Sequence, residues 1–241
     1  MMEAGRITGE ALLLAREHVR EGVSTKELDT LIREFIEKSG AKPSFLGYAG
    51  FPGSACISIN DEVIHGIPSK KRILREGDIV KIDVGAFYGG FHGDSARTIP
   101  VGKVSDEALK LIKVTRDSFF AGVDMLKTGN RIGDVGHAIQ SCVEKEGFSV
   151  VRRYIGHGVG RELHEQPDVP NFGTAGRGIR LCAGMTLAIE PMVNIGAPDV
   201  YELPDGWTVK TADKSLSAHY ENTVALTSEG VIITTLVDKE W

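Results

Sequence analysis

Apolar side chains recur at helical spacing from Ala4 to Val19. A second helical run follows at Leu28, Leu31, Ile32, Phe35 and Ile36, and Gly40 ends it. Ser24 sits where an N-cap belongs, with Glu27 three residues on as its capping-box partner. The same plan returns later. A helix is predicted from about Asp106 to Leu126, and another carries Val135, Ala138, Ile139, Cys142 and Val143 up to Gly147. Between the helical pairs, Ile79 to Phe87 reads as a strand, Tyr88-Gly89-Gly90 as a turn, and Phe91 to Thr98 as the returning strand. Met185 to Ile189 is a further apolar strand.

The two plans align at an offset of 107 residues. Gly22 falls on Gly129, Leu28 on Val135, Ile32 on Ile139, Glu37-Lys38 on Glu144-Lys145, and Gly40 on Gly147. Helix-ending glycines and Glu-Lys pairs are common in themselves. The informative step is that the same offset carries Gly77–Asp83 onto Gly184–Glu190, so that one strand-ending acid lands on another. With about twenty inserted residues allowed, Gly93-Asp94-Ser95-Ala96 resembles Tyr220-Glu221-Asn222-Thr223, and His65-Gly66-Ile67-Pro68 echoes His164-Glu165-Gln166-Pro167. The fold class is therefore read as α+β. A single domain over residues 1–241 is built from a first half of about 1–104 and a second of about 105–241. Each half gives two helices and mainly antiparallel strands, and a pseudo-twofold axis gathers the acids at one central place.

Composition narrows the function. In 241 residues the chain is 41% apolar and 25% charged, the balance of a folded soluble protein, and its formal net charge of −5 argues against nucleic acid as a ligand. The basic cluster Lys70, Lys71, Arg72 and Arg75 reads as a solvated turn before a strand. Three scattered cysteines, Cys56, Cys142 and Cys182, form neither a disulfide framework nor a C-x-x-C pair, which fits a reducing cytoplasm. No stretch has the length of a membrane span or a signal h-region, so no membrane partner is expected.

The acids carry the chemistry. Asp83 and Asp94 lie symmetrically about the Tyr88–Gly89 junction. A tight turn there would set them directly opposite on one hairpin face, with Cβ atoms roughly 4.5–5.5 Å apart. Like charges so placed destabilise a sheet unless a divalent cation or a shared proton relieves them. Glu190 ends an apolar run, where an unpaired carboxylate is costly. Four carboxylates joined by an imidazole suit Mn²⁺, Fe²⁺, Co²⁺ or Zn²⁺ rather than a thiolate-built structural zinc. His157, among Gly156, Gly158 and Gly160, supplies that imidazole, the glycines letting backbone come close to a metal or ligand. Two metals about 3.5–4 Å apart would acidify a bridging water to hydroxide and polarise a carbonyl. His65 and His164 are candidates to bond the scissile amide and its developing oxyanion, the plainer reading being turn histidines before proline. A serine elbow, a Walker loop and an H-E-x-x-H helix are all missing from the sequence.

At these residues the chain resembles the bacterial type I methionine aminopeptidases, of the pita-bread family of metallopeptidases. The likeness rests on Cys56-Ile57-Ser58-Ile59-Asn60, Val63-Ile64-His65-Gly66-Ile67-Pro68, Ile82-Asp83-Val84-Gly85, Phe91-His92-Gly93-Asp94, Gly156-His157-Gly158, Leu163-His164-Glu165-Gln166-Pro167, Ile189-Glu190-Pro191-Met192 and Tyr220-Glu221-Asn222-Thr223. It implies a central curved sheet covered by helices, and a catalytic domain that holds two divalent metal ions. Asp83 would chelate one metal and Asp94 bridge both. His157 and Glu190 would hold the other, with Glu221 bridging and Glu190 shuttling the proton. His65 and His164 match the substrate-contacting histidines, and Tyr48, Phe51, Cys56 and Trp207 the methionine pocket, where a thioether meets aromatic and sulfur surface. The implied activity removes the initiator methionine from nascent polypeptide N-termini, with a small second residue preferred. The implied setting is the cytoplasm, as a monomer in transient contact with the ribosome.

Three departures stand out. The chain starts almost on its first helix, where the family has a dozen or so earlier residues. Leu163 replaces a common aromatic, and Ala49 replaces a polar residue between Tyr48 and Gly50. Two competing readings share the fold: a proline-directed peptidase with the same five ligands, and a non-catalytic binding protein, a class that typically loses ligands.

Overall fold

The computed structural model describes residues 1–237. Helix α1 spans Met2–His18 and α2 spans Thr25–Lys38. The capping box of α2 is present: Glu27 N donates to Ser24 Oγ at 3.2 Å, and Ser24 N donates to Glu27 Oε2 at 2.8 Å. Gly40, at φ 75°, turns the chain out of the helix in the left-handed region that favours glycine. The stripe Leu28, Ile32 and Ile36 is fully buried against Val80, Ile82 and Val84 of the strand Ile79–Tyr88. Because side chains alternate along a strand, Lys81, Asp83 and Gly85 face the other way. Helices thus cover one face of the sheet and the acids occupy the other.

The second half repeats this construction, down to several matching backbone hydrogen bonds. Helix α3 spans Asp106–Val123 and α4 spans Ile132–Lys145. Gly22 N donates to Leu74 O, and its counterpart Gly129 N donates to Leu181 O. Thr25 N reaches Arg72 O, as Ile132 N reaches Ile179 O. The lone bridges Ser24 to Ile73 and Arg131 to Arg180 are also 107 residues apart. Val135 and Ile139 pack on Leu187 and Ile189 just as Leu28 and Ile32 pack on Val80 and Ile82.

The hairpin Ile79–Tyr88/Phe91–Pro100 corrects one expectation. Its turn is Gly89-Gly90, both at positive φ (58° and 86°), which a β-hairpin turn of this twist demands and Tyr88 would resist. Moving the turn one residue places Asp83 opposite Ala96 and Asp94 opposite Gly85. Asp83 and Asp94 therefore share a face as diagonal neighbours, about 7 Å apart by ordinary sheet geometry, rather than as a directly opposed pair.

A second correction concerns the axis. In the later half, Ile189 pairs with Asn222 and Met192 with His219, which sets Glu190 opposite Glu221 and makes Glu221 the counterpart of Ala96. Ala96 and Glu221 exchange both backbone hydrogen bonds with each other, at 3.3 and 2.9 Å, as a position on a twofold axis must. Around them Thr98 Oγ1 brackets the backbone of His219, and Thr223 Oγ1 brackets that of Asp94, all at 2.8–2.9 Å. The partner of Asp94 across the axis is thus His219, two residues from the Glu221 expected from sequence.

Candidate metal centre and substrate cleft

The acid faces of the two hairpins meet at the floor of a cleft of about 150 Å³. Asp83 reaches it from Ile79–Tyr88 and Asp94 from Phe91–Pro100. Glu190 and Glu221 arrive beside the strands Thr186–Ile189 and Asn222–Thr227, and His157 from the short strand Gly156–Gly158. The glycines around His157 serve a purpose other than the one expected. A Cβ at Gly156 would lie 2.3 Å from Ala188 O, and one at Gly158 2.4 Å from Gln166 O. They let neighbouring strands close in, which carries the imidazole to the floor.

The floor is dense with unrelieved negative charge. Burial drives the carboxyls of Asp83, Glu190 and Glu221 well above their ordinary range, and the neighbouring acids push each further. Burial also raises Asp94, against the opposing backbone hydrogen bond from Ser95. Oδ1 of Asp83 and Oδ1 of Asp94 are buried without a hydrogen-bond partner. His157 is lowered to about 4, by burial first and then by His164, so it stands neutral among the acids. Its Nδ1 lies 2.8 Å from Gly158 O, the geometry of an N–H donor, which leaves the Nε2 lone pair facing inward. That nitrogen lies 3.8 Å from Asp94 Oδ2 and 3.6 Å from Glu190 Oε1, contacts of a neutral ring and not of an ion pair. Asp94, His157 and Glu221 each turn one ligand atom to a common point, all within 4.8 Å of one another. Orphaned carboxylate oxygens, raised acids and an imidazole lone pair together fit a divalent cation of the hard-to-borderline kind.

Above the floor stand the remaining residues singled out from sequence. His164 Nδ1 is 2.8 Å from the Tyr48 hydroxyl, and its ring centroid is 4.1 Å from that of His157. His65 sits at φ 59° just after the strand Glu62–Ile64, edge-on to Tyr154 and Trp207. Burial lowers it to about 4. His164 instead precedes the strand Glu165–Val169, so the two histidines enter from different elements despite their sequence echo. Phe51 and Cys56 pack with Leu163, Phe45 and Trp207 as the apolar wall. Tyr48, 42% exposed, stands at the mouth, and the Ala49 that follows it holds φ 45°.

Two neighbours of the site were not singled out from sequence. Phe45 comes from a loop without periodicity. His219 is buried beside Glu190, with Nε2 3.6 Å from Oε2. The one signal for it was its spacing, since in Ser217-Ala218-His219-Tyr220-Glu221 an extended chain sends residues 219 and 221 to the same face.

Known proteins agree with this construction. The model of metallopeptidase family M24 matches residues 1–228. A methionine aminopeptidase of Clostridium acetobutylicum is 54% identical over 238 residues, covering 99% of this chain and 95% of that protein. Methionine aminopeptidase 1 of Bacillus subtilis is 52% identical, covering 98% and 95%. The crystal structure of the methionine aminopeptidase from Thermotoga maritima superposes with a TM-score of 0.96 at 46% identity, over 98% of this chain and 94% of that one. A prolidase from Pyrococcus furiosus shares the fold at a TM-score of 0.80 and 24% identity. With a family model spanning nearly its whole length and relatives more than half identical from end to end, this chain belongs to metallopeptidase family M24.

Proposed function

We propose that the protein removes methionine from the N-termini of polypeptides by metal-dependent hydrolysis, with a small second residue preferred. One observation carries the reading: a floor of four acids and His157 lies directly beneath an apolar wall of Phe51, Cys56 and Trp207. An unbranched thioether is a good match to such aromatic and sulfur surface. The relatives at 52–54% identity bear the name methionine aminopeptidase, which favours this substrate over the proline-directed alternative.

Asp83, Asp94, His157, Glu190 and Glu221 would hold two divalent ions, with Mn²⁺, Fe²⁺, Co²⁺ and Zn²⁺ all compatible with the donor set. When bound, such ions acidify water and polarise the scissile carbonyl. The residues then divide the work. Asp83, Asp94 and Glu221 balance the charge. The Glu190 carboxylate would accept a proton from the attacking water and return it to the leaving amine. His164, oriented through Nδ1 by Tyr48, and His65, kept neutral by burial, offer hydrogen bonds to the substrate amide and its developing oxyanion. The free cysteines Cys56, Cys142 and Cys182 fit work in the reducing cytoplasm, where a monomer would meet nascent chains at the ribosome.

Purified protein stripped of metal and reconstituted with Mn²⁺ or Co²⁺ should cleave Met-Ala-Ser and leave Ala-Pro intact. Cleavage of Ala-Pro in preference would transfer the site to proline-directed peptidases. No cleavage of either, together with no bound metal by mass spectrometry, would make the chain a binding protein.

A further inference from the structure

One imidazole beside the metal floor lies outside the ligand set. His219 is 1% exposed, and neither ring nitrogen has a hydrogen-bond partner. A buried imidazole left unpaired is costly, so its retention here calls for a use. Its backbone is clamped on both sides, since His219 N donates to Thr98 Oγ1 and Thr98 Oγ1 donates to His219 O, each at 2.8 Å. The ring is therefore held in place by the sheet and not by its own polar atoms.

The carboxylate it faces is divided between two imidazoles. Glu190 Oε1 lies 3.6 Å from His157 Nε2, and Oε2 lies 3.6 Å from His219 Nε2. Those imidazoles have opposite roles. The Nδ1 proton of His157 is committed to Gly158 O, so its Nε2 has only a lone pair to present. His219 has no such commitment, so its proton is available to Nε2 and to Glu190. Asn171 Nδ2 donates to the backbone carbonyl of Glu190 and not to its carboxylate.

We propose that His219 is the positioning residue for Glu190: its neutral Nε2–H donates to Oε2 and leaves Oε1 turned toward the metal beside His157. This rests on the proposed metallopeptidase reading of the site. A 3.6 Å separation is too long for a hydrogen bond as it stands. Contacts of this kind tighten when a site is loaded, and a small swing of either side chain closes the gap. The pseudo-twofold axis supports the assignment. His219 occupies the position that in the first half carries Asp94, a side chain aimed at the same floor. Across the axis one half thus supplies an acid ligand and the other a donor that steers an acid ligand.

The test compares His219→Leu, which cannot donate, with His219→Gln, whose amide can. For His219→Leu the expected result is a fall in kcat on Met-Ala-Ser of about 10–100-fold with KM within about twofold, and Mn²⁺ affinity by calorimetry weakened about tenfold, the usual size for losing a partner of a ligand. His219→Gln should recover most of both. Leu at wild-type kcat and affinity, or Gln and Leu equally impaired, would overturn the proposal. Wild-type protein labelled with ¹⁵N-histidine gives an answer free of folding defects: with Zn²⁺ bound, His219 should carry its proton on Nε2, and a proton on Nδ1 sinks the idea. Mn²⁺ affinity and tautomer are read without turnover, so absence of Met-Ala-Ser cleavage would count against the substrate assignment and not against His219.

Discussion

The two hairpins at the centre of this molecule have one backbone plan and two chemistries. Asp83 and Glu190 are equivalent and both acidic. At the next two equivalent positions the halves diverge, with Asp94 against His219 and Ala96 against Glu221. His157 pairs with Ala188 as Ser58 pairs with Lys81, so Ser58 stands at the position of His157 and the imidazole proposed as a ligand belongs to one half alone. The contrast shows what a duplicated fold supplies. Symmetry brings strand faces together at an axis, and it is the broken symmetry of side chains that makes the floor directional, with the His157 lone pair on one side and the carboxylate proposed to handle the proton beside it.

The comparison can be broken most severely at its equivalent positions. Asp94→Ala removes a carboxylate from the floor, and Met-Ala-Ser turnover should fall by 10³-fold or more with loss of bound metal by mass spectrometry, far beyond the effect expected at His219. Glu190→Gln, which keeps the shape and removes the proton acceptor, should cost about 10²–10⁴-fold in kcat. A milder response for Glu190→Gln than for His219→Leu would reverse the roles assigned to them.

Making the first half resemble the second should cost stability. Ala96 is fully buried against Glu221, so Ala96→Asp adds a further carboxylate to the crowded floor. Urea denaturation of the metal-free protein should show a loss of about 3–5 kcal/mol, the range for an uncompensated buried charge. No loss would mean that the floor is wetter than its burial indicates.

The same charge predicts a pH response. The floor acids have folded-state values raised above their unfolded ones, so the folded state binds more protons and stability is lost as pH rises. His65, His157 and His219 are lowered and oppose this, but only below about 6.5, where their unfolded forms begin to charge. Buried Lys81, lowered to about 7, opposes the acids above pH 7, so the acids act with least opposition between about pH 6.5 and 7. The Tm of metal-free protein should therefore fall across that window, and divalent metal should flatten the slope. A flat metal-free profile would contradict the raised acids.

The smallest effect sharpens the comparison at the helix starts. Ser24 caps α2 with its hydroxyl, whereas Arg131 at the equivalent place has no side-chain oxygen to accept from the helix. Ser24→Ala should cost about 1 kcal/mol in urea denaturation, and Arg131→Ala clearly less. Equal costs would show that the carboxylates of Glu27 and Asp134, common to both halves, do the capping.

Much of this was legible along the chain because the forces involved are local. Helical stripes, the Ser24 cap and the helix-ending Gly40 and Gly147 depend on neighbours a few residues away, and all appear where the periodicity puts them. The repeat was readable because both copies keep the same glycines and core positions. The four acids and one imidazole that meet at the floor were nameable by residue type. Their exact partnership was not. The hairpin register turned on which of Tyr88, Gly89 and Gly90 tolerates positive φ, and one residue of difference converted an opposed pair of aspartates into a diagonal one.

By itself, then, the sequence determined the helices, the doubled architecture and the identity of the ligand-type residues, since each follows from periodicity or side-chain chemistry. Only the tertiary structure decided that Ala96 and Glu221 sit on the axis, that Asp94 answers His219, and that Gly156 and Gly158 serve strand packing. Those outcomes depend on hydrogen bonds between residues more than a hundred positions apart, and on close approaches such as the one at Ala188 O. Pairing at that range is settled when the sheets close around their shared core, and no local pattern of apolar and polar positions encodes it.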